Sequence, residues 1–190
     1  MPFEIRPLSP ENFDDFATVA NPNRRATHCW CLSHRLTAAQ MRELGDTRED
    51  ALLALCHRDP GPGVIGYDDG VPVAWCAIGP RSAIPRLEAS RLIRRIDDVG
   101  VWAIICVVVR SRGFRRKGYA LQVINGAVAY AAQQGAPAVE TYPPDTDKRI
   151  DTTMAFLGTR ALFEKAGFTK IGMTEATGAG HPRCVMRRTL

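Results

Sequence analysis

The sequence predicts a single α/β domain over residues 1–190, and three features support that prediction. A continuous apolar run, Trp102 to Val109, is typical of a strand that is buried on both faces. Before it, Asp68-Asp69-Gly70 separates two strand-like segments, as expected of a β-hairpin turn. After it, a helix that begins near Gly118 carries one apolar row, formed by Ala120, Ile124, Ala127 and Ala131.

The first third of the chain is predicted to hold one strand followed by helices. Residues 3–7 form the strand, and Ser9 is the expected N-cap of the first helix. Residues 24–35 show no regular periodicity, and a second helical region is expected to begin with Thr47 as its cap. The Pro- and Gly-rich residues 59–63 then break the chain before the hairpin.

The later elements follow the apolar strand and its helix. Glu88 to Arg95, just before that strand, is predicted to form a short basic helix. Residues 138–142 form the next strand, and Thr152 or Thr153 is expected to cap a helix that ends at Gly167. Two strands close the chain, residues 168–173 and 183–189, joined by a flexible link from Thr177 to Gly180.

Composition limits the classes of function. The net charge of +5 suits an anionic cofactor as well as it suits nucleic acid, and a 7% aromatic content gives little support for a single-strand-binding platform. The longest apolar run is too short to span a bilayer, and no signal peptide is recognised. The six cysteines show no disulfide pattern, so a reduced cytoplasmic protein is expected.

The turn between the buried strand and the following helix carries the strongest chemical signal. Arg115, Arg116 and Lys117 stand beside Gly118, directly before the helix begins. Backbone N–H groups at a helix N-terminus attract anions, and glycine permits close approach of the backbone. This arrangement predicts a site for a pyrophosphate.

The order of elements, together with Arg115-x-x-Gly118-x-Ala120 after the central strand, resembles the GNAT acetyltransferase superfamily. The segment Leu162-Phe-Glu-Lys-Ala-Gly-Phe168 resembles the second landmark of that family. The resemblance implies a mixed, mostly antiparallel central sheet, splayed at its centre and flanked by helices. It also implies acetyl-CoA as the acyl donor.

The resemblance assigns donor contacts position by position. Backbone groups of Val107, Val108 and Val109 would bind the pantetheine, and a backbone N–H of this strand would polarise the thioester carbonyl. The run from Arg115 to Ala120 would enclose the pyrophosphate, with contributions from Arg116, Lys117, Gly118 and Tyr119. The stretch from Val109 to Arg115 is one residue longer than usual in the family, which leaves open which valine contacts the donor.

Two side chains that are common in the family are missing. Phe163 stands where many relatives carry a tyrosine as general acid, and the start of the central strand lacks the frequent glutamate. Glu140 as base and Tyr142 as acid are the replacement candidates, with Asp145 and Asp147 as weaker ones. The alternative is that Tyr142 packs in the core while Glu140 faces solvent, and that proximity and water drive the reaction.

Two further groups are candidates for the acceptor side. Trp30, between Cys29 and Cys31, either lines the substrate cleft or belongs to the core; a metal site is a third reading, but the spacing matches no closed zinc motif. Arg81 and Arg86 flank a loop where two guanidinium groups would hold a carboxylate or phosphate of the acceptor, unless they are surface charges.

These observations favour an N-acetyltransferase that moves an acetyl group from acetyl-CoA to a primary amine of a small molecule. Acetylation of a protein or aminoacyl-tRNA amine is one alternative, and a non-catalytic module that senses acyl-CoA is another. No membrane or nucleic-acid partner is expected. A homodimer is one expectation, because such folds often dimerise through sheet edges.

Overall fold

The computed structural model describes residues 3–111, 113–151 and 156–190. Thr152 and Thr153, the predicted caps of the last helix, lie outside the described residues.

Seven strands form one sheet in the order β1-β2-β3-β4-β5-β7-β6. The strands are β1 (Glu4–Pro7), β2 (Gly63–Asp68), β3 (Val71–Pro80), β4 (Trp102–Val109), β5 (Ala138–Thr141), β6 (Thr169–Gly178) and β7 (His181–Thr189). Neighbouring strands pair antiparallel except β4 and β5, which are parallel. The predicted mixed, mostly antiparallel sheet is therefore confirmed.

Six α-helices and two short 3-10 helices surround the sheet in the described part of the chain. The α-helices are α1 (Phe13–Ala20), α2 (Ala38–Leu44), α3 (Arg48–Cys56), α4 (Pro85–Glu88), α5 (Tyr119–Gln133) and α6 (Arg160–Lys165). The Thr47 side chain accepts a hydrogen bond from the backbone N–H of Asp50, which confirms Thr47 as the cap of α3. Helix α2, capped in the same way by Thr37, was not predicted.

Two tight hairpins connect the antiparallel strands. Asp69 and Gly70 have φ angles of 50° and 74°, the left-handed pair that matches strand twist in a two-residue turn, so the predicted β2–β3 hairpin is confirmed. Ala179 and Gly180 repeat this geometry with φ angles of 52° and 76°. The predicted flexible link from Thr177 to Gly180 is therefore wrong, since the last two strands run up to a two-residue turn.

Two helix boundaries also differ from the prediction. Pro85 begins a helix at its first position, and the helix ends at Glu88, so the basic helix predicted from Glu88 to Arg95 is wrong. Downstream, the Ser90 hydroxyl accepts a hydrogen bond from the Ile93 N–H, which favours a turn over a helix. In the described part of the last helix, the Thr159 side chain provides the cap.

The core has two apolar layers, one on each face of the sheet. Helices α1 and α3 cover one face, where Phe16 packs edge-on against Trp75 with ring centroids 4.7 Å apart. Helices α5 and α6 cover the other face. No helix in the described residues is long and apolar enough to cross a membrane.

The sheet opens at its centre. β4 and β5 pair only at Trp102↔Val139 and Ala103↔Glu140, while β4 continues to Val109 along β3. Residues 105–109 of β4 therefore present backbone groups to a gap on the side where β5 diverges. This gap confirms the predicted splay and positions the candidate site.

Candidate functional site

Two cavities open beside the gap between β4 and β5. The large cavity, of about 520 Å³, has residues of β4, the following turn, α5 and α6 in its walls. The small cavity, of about 340 Å³, is lined by Ile105, Tyr142 and residues of the loop after α4. Phe156 lines the large cavity and Leu157 lines the small one, so this short segment lies between them.

The open edge of β4 offers a backbone donor at the junction of the cavities. The Val107 N–H donates to the Phe156 carbonyl at 2.7 Å, so this amide points away from β3 and into the gap. In contrast, the Arg110 N–H donates to Val73 of β3, as the alternation along a strand requires. A ligand carbonyl could receive the Val107 hydrogen bond only by displacing the Phe156 carbonyl.

The basic turn shapes one end of the large cavity. Val107, Val108 and Val109 lead into it, and Arg115, Arg116, Gly118, Tyr119 and Ala120 lie in its wall. Gly118 has φ of 82° at the N-cap of α5, a conformation that disfavours other side chains. The N-terminus of a 15-residue helix and two guanidinium groups therefore face the same space.

Tyr119 and Lys117 have different surroundings from the rest of the turn. The Tyr119 hydroxyl donates to Asp68, and its ring stacks on Phe3 with centroids 5.9 Å apart, which anchors the start of α5 to the hairpin. The Lys117 ammonium lies 5.9 Å from the ring centroid of Phe114 and is not among the residues that line the cavity. On the opposite wall, Lys165 of α6 adds a cation that the sequence analysis did not single out.

Glu140 and Tyr142 belong to a buried charged network. Glu140 is 2% exposed, and its carboxylate accepts hydrogen bonds from Tyr142 Oη at 2.8 Å and from Arg187 Nε and Nη2 at 2.9 and 2.6 Å. Arg81 Nη1 donates to Tyr142 Oη at 2.6 Å. Burial and the nearby Glu140 carboxylate raise the pKa of Tyr142, so the phenol stays protonated at neutral pH.

This network changes what each predicted residue can do. Tyr142 lines the small cavity, whereas Glu140 has both carboxylate oxygens occupied by protein donors. Arg81 is 1% exposed, and it also donates to the Ile93 carbonyl at 2.6 Å, so its guanidinium is held inside the protein. Arg86, the other predicted acceptor residue, does lie in the wall of the small cavity.

The small cavity is positively charged and otherwise largely apolar. Its cations are Arg86 and the buried Arg183 of β7, and its apolar residues include Leu87, Leu92, Ile93 and Leu157. Exposed His34 lies at its rim and stacks on Phe156 with ring centroids 4.6 Å apart. Although the side chain is accessible, the packing around it and the charges of Arg183 and Arg86 lower the pKa of His34 to about 4.

The weaker acid–base candidates are engaged in ion pairs. Asp145 accepts hydrogen bonds from Lys170 Nζ at 2.7 Å and from Arg160 Nη1 at 3.2 Å, and the Lys170 contact is the main reason that the pKa of Asp145 is lowered. Asp147 pairs with Arg160 as well. Through these ion pairs, the loop that holds Asp145 and Asp147 contacts Arg160 of α6 and Lys170 of β6.

Trp30 and Cys31 lie in the core beneath α1, whereas Cys29 is only partly buried. Trp30 is fully buried, and its ring stacks on Phe13 at 5.9 Å. The Cys31 and Cys106 sulfur atoms are 3.2 Å apart, and all six cysteines, each within the described residues, are free thiols. Within the described part of the chain, no group of three or more His, Cys, Asp or Glu side chains is placed to bind a metal.

Sequence reasoning missed Lys165, His34 and Arg183. Arg183 had a detectable signal, because it alternates with Val185 and Arg187 on one face of β7. Lys165 stands inside the Leu162 to Phe168 landmark but was not singled out. No local sequence pattern points to His34, because its position at a cavity depends on long-range packing.

The comparisons define the family. Residues 30–168 match the model of the acetyltransferase (GNAT) family, so the chain belongs to this family, whose members use acetyl-CoA as acyl donor. No curated protein sequence matched the chain in a second comparison.

Solved structures share the fold at low sequence identity. PaiA N-acetyltransferase from Thermoplasma acidophilum, in complex with coenzyme A, is 14% identical with a TM-score of 0.54, and the match covers 100% of both chains. Aminoglycoside acetyltransferase AAC(6')-Ib, in complex with ribostamycin and coenzyme A, is 12% identical with a TM-score of 0.58, covering 100% of this chain and 94% of that one. A chain of the NatC complex, bound to Gag peptide and CoA, is 12% identical with a TM-score of 0.54, covering 100% and 99%.

Proposed function

We propose that this protein moves the acetyl group of acetyl-CoA to a primary amine of a small molecule. The observation that supports this proposal best is a pair of cavities, one on either side of Phe156 and Leu157. Both cavities lie along the open edge of β4. A donor in the large cavity and an acceptor in the small cavity would meet at the Val107 amide. Such placement lowers the entropic cost of a bimolecular reaction by several kcal/mol, on the order of 7–11 in favourable cases.

The large cavity would hold acetyl-CoA, which is a substrate of the reaction. Arg115 and Arg116 have guanidinium groups suited to phosphate oxygens, and Gly118 leaves the backbone accessible at the N-terminus of α5. We assign pyrophosphate binding to this turn, from Arg115 through Ala120, with Lys117 as a more distant charge. Once the thioester carbonyl displaces the Phe156 carbonyl, the Val107 N–H would polarise it, with pantetheine along Val107, Val108 and Val109.

We assign to Tyr142 the donation of a proton to the departing thiolate. It lies in the wall of the small cavity, and its raised pKa keeps the hydroxyl protonated. We assign Glu140 and Arg81 to positioning this hydroxyl, because both contact it and both are almost completely buried. Trp30 would support the site from the core and would not touch the acceptor.

An amine-dependent release of CoA thiol tests the proposal. The protein, freed of bound CoA, is mixed with acetyl-CoA, and a thiol reagent follows CoA release with a panel of primary amines. Mass spectrometry then identifies the acetylated product. Thiol release that requires an amine supports the transferase, whereas acetyl-CoA binding without turnover on any small amine or peptide would indicate a sensor.

An acetylated peptide or protein is the second candidate, and the rim of the small cavity favours it. Leu92, which lines this cavity, is a large apolar side chain and yet is 53% exposed. A chain of the NatC complex, a structural neighbour, was solved with a peptide, whereas AAC(6')-Ib was solved with an aminoglycoside. If peptide N-termini are acetylated far faster than every small amine, the acceptor is a polypeptide.

A further inference from the structure

Arg183 is a cation held in the wall of the small cavity by neutral partners. Its residue is 9% exposed, and its Nη1 and Nε donate to the backbone carbonyls of Tyr142 and Thr177 at 3.0 and 3.1 Å. Among the ion pairs of the described residues, none includes Arg183. A buried guanidinium without an anion is costly, and burial lowers the pKa of Arg183 accordingly.

Carboxylates on the chain segments around this wall are already paired with other cations. Glu140 accepts two hydrogen bonds from Arg187, and Asp145 accepts one from Lys170. On the rim, Glu88 pairs with Arg95 at 2.7 Å and Glu175 lies 3.9 Å from Arg94. The protein therefore supplies no carboxylate to Arg183 from these positions.

A second cation stands at the entrance of the same cavity. Arg86 is exposed, its backbone N–H donates to the Arg35 carbonyl at 3.1 Å, and no ion pair involves its side chain in the described part of the chain. The same cavity is also lined by the apolar side chains of Leu87, Ile93 and Ile105. The cavity thus offers two unneutralised cations around an apolar floor.

We propose that the acceptor is an amine that carries a carboxylate and an apolar body, and that Arg183 and Arg86 bind the carboxylate. This inference rests on the proposed acetyltransferase function. A cavity of about 340 Å³ has the size for a molecule like a large amino acid. The same two charges disfavour polyamines, because every additional ammonium group would be repelled.

The bound carboxylate would also change the acid–base chemistry at the rim. Once it neutralises the two guanidinium groups, the pKa of His34 is expected to rise from its lowered value, so the imidazole becomes a better acceptor for the proton of the amine. The amine nitrogen then bonds to the acetyl carbon, the C–S bond breaks, one proton leaves the nitrogen and one is taken up by the CoA sulfur.

Matched acceptor pairs test the inference. L-phenylalanine and 2-phenylethylamine, or L-leucine and isopentylamine, differ only in the carboxylate, and spermidine represents a polycation. We expect kcat/KM to be higher by at least about thirty-fold for the amino acids, as is typical of a charged hydrogen bond to a buried partner. Arg183→Met should reduce the ratio of the two kcat/KM values towards one, and so should Arg86→Met, whose exposed position tolerates substitution. Arg94→Met, on the nearby surface, should leave this ratio unchanged.

The outcomes separate this inference from the general function. Turnover of 2-phenylethylamine or spermidine at rates equal to the amino acid would overturn the carboxylate site but leave the acetyltransferase intact. A higher kcat/KM for O-phosphoethanolamine than for the amino acids would also overturn the carboxylate site. If no amine turns over, calorimetry with 3-phenylpropionate in the presence of CoA still decides: binding that Arg86→Met weakens supports the anion site, and absence of binding refutes it.

Discussion

Replacing Glu140 by Gln removes the central charge of a buried network and distinguishes a positioning role from a catalytic base. The carboxylate is 2% exposed and accepts hydrogen bonds from Tyr142 and Arg187, while Arg81, 1% exposed, has Nη1 3.8 Å away. Without the charge, Arg81 keeps Glu88 at 3.5 Å and backbone carbonyls as partners. Removal of one member of a buried ion pair costs about 3–5 kcal/mol.

That loss should be visible as a change in Tm. For a chain of this length, each kcal/mol lowers Tm by about 2–4 °C, so Glu140→Gln should lower it by about 6–20 °C. The control Glu175→Gln removes a carboxylate that is 67% exposed and 3.9 Å from Arg94, and should change stability by less than about 0.5 kcal/mol.

The same variant is assayed for acetyl transfer at a temperature where it is fully folded. If Glu140 positions Tyr142, kcat should fall by no more than about ten-fold, whereas loss of a general base lowers rates by about 10²–10⁴-fold. A variant with wild-type Tm and a hundred-fold lower kcat would refute the positioning role and restore Glu140 as the base.

Three further predictions concern the small cavity and its junction with the large one. In Gly178→Ala, the new Cβ would lie 2.5 Å from Arg183 Nη2, so the guanidinium should shift. The KM for a carboxylate-bearing acceptor should then rise by on the order of ten-fold, with Tm nearly unchanged. An unaltered KM would argue against Arg183 as a ligand of the acceptor. The pKa of His34 is about 4 in the folded protein and about 6.5 in the unfolded chain, so between these pH values the unfolded chain binds one more proton, and the free energy of unfolding should fall as the pH drops from 6.5 to 4. Chemical denaturation at several pH values should show a smaller fall for His34→Gln than for the wild type. An equal fall in both proteins would refute the lowered pKa of His34. Phe156→Ala removes the ring at the junction of the cavities, so water should reach the thioester and the release of CoA thiol in the absence of an amine should increase. If this rate stays at the wild-type level, the Phe156 ring does not exclude water.

Local patterns predicted the elements that depend on a few neighbouring residues. Asp69-Gly70 specified a turn whose positive φ angles suit that pair, and Thr47 offered its hydroxyl to the start of α3. The apolar run of β4 required burial on both faces, which only a central strand provides. The basic turn was predictable because strand, glycine and helix follow one another directly.

The acceptor side was less predictable because it is assembled from distant segments. Arg81 and Arg86 are equivalent in sequence as loop arginines, yet Arg81 follows the end of β3 into contact with Tyr142 and Ile93, while Arg86 remains at the cavity. Arg183 reaches the cavity through the pairing of β7 with β5 and the Arg183 contact to the Tyr142 carbonyl. Such contacts join residues about forty to sixty positions apart, where periodicity carries no information.

We propose that the turn before α5 binds the pyrophosphate of acetyl-CoA, and titration calorimetry with two glycine variants tests this assignment. Gly118 and Gly135 stand at opposite ends of α5 with φ angles of 82° and 78°, so glutamate imposes similar backbone strain and the same charge at either site. We expect Gly118→Glu to weaken acetyl-CoA binding by at least about a hundred-fold, because it places a carboxylate beside the phosphates, while Gly135→Glu should bind acetyl-CoA as the wild type does. Equal affinity of Gly118→Glu and the wild type would show that the pyrophosphate does not bind at this turn.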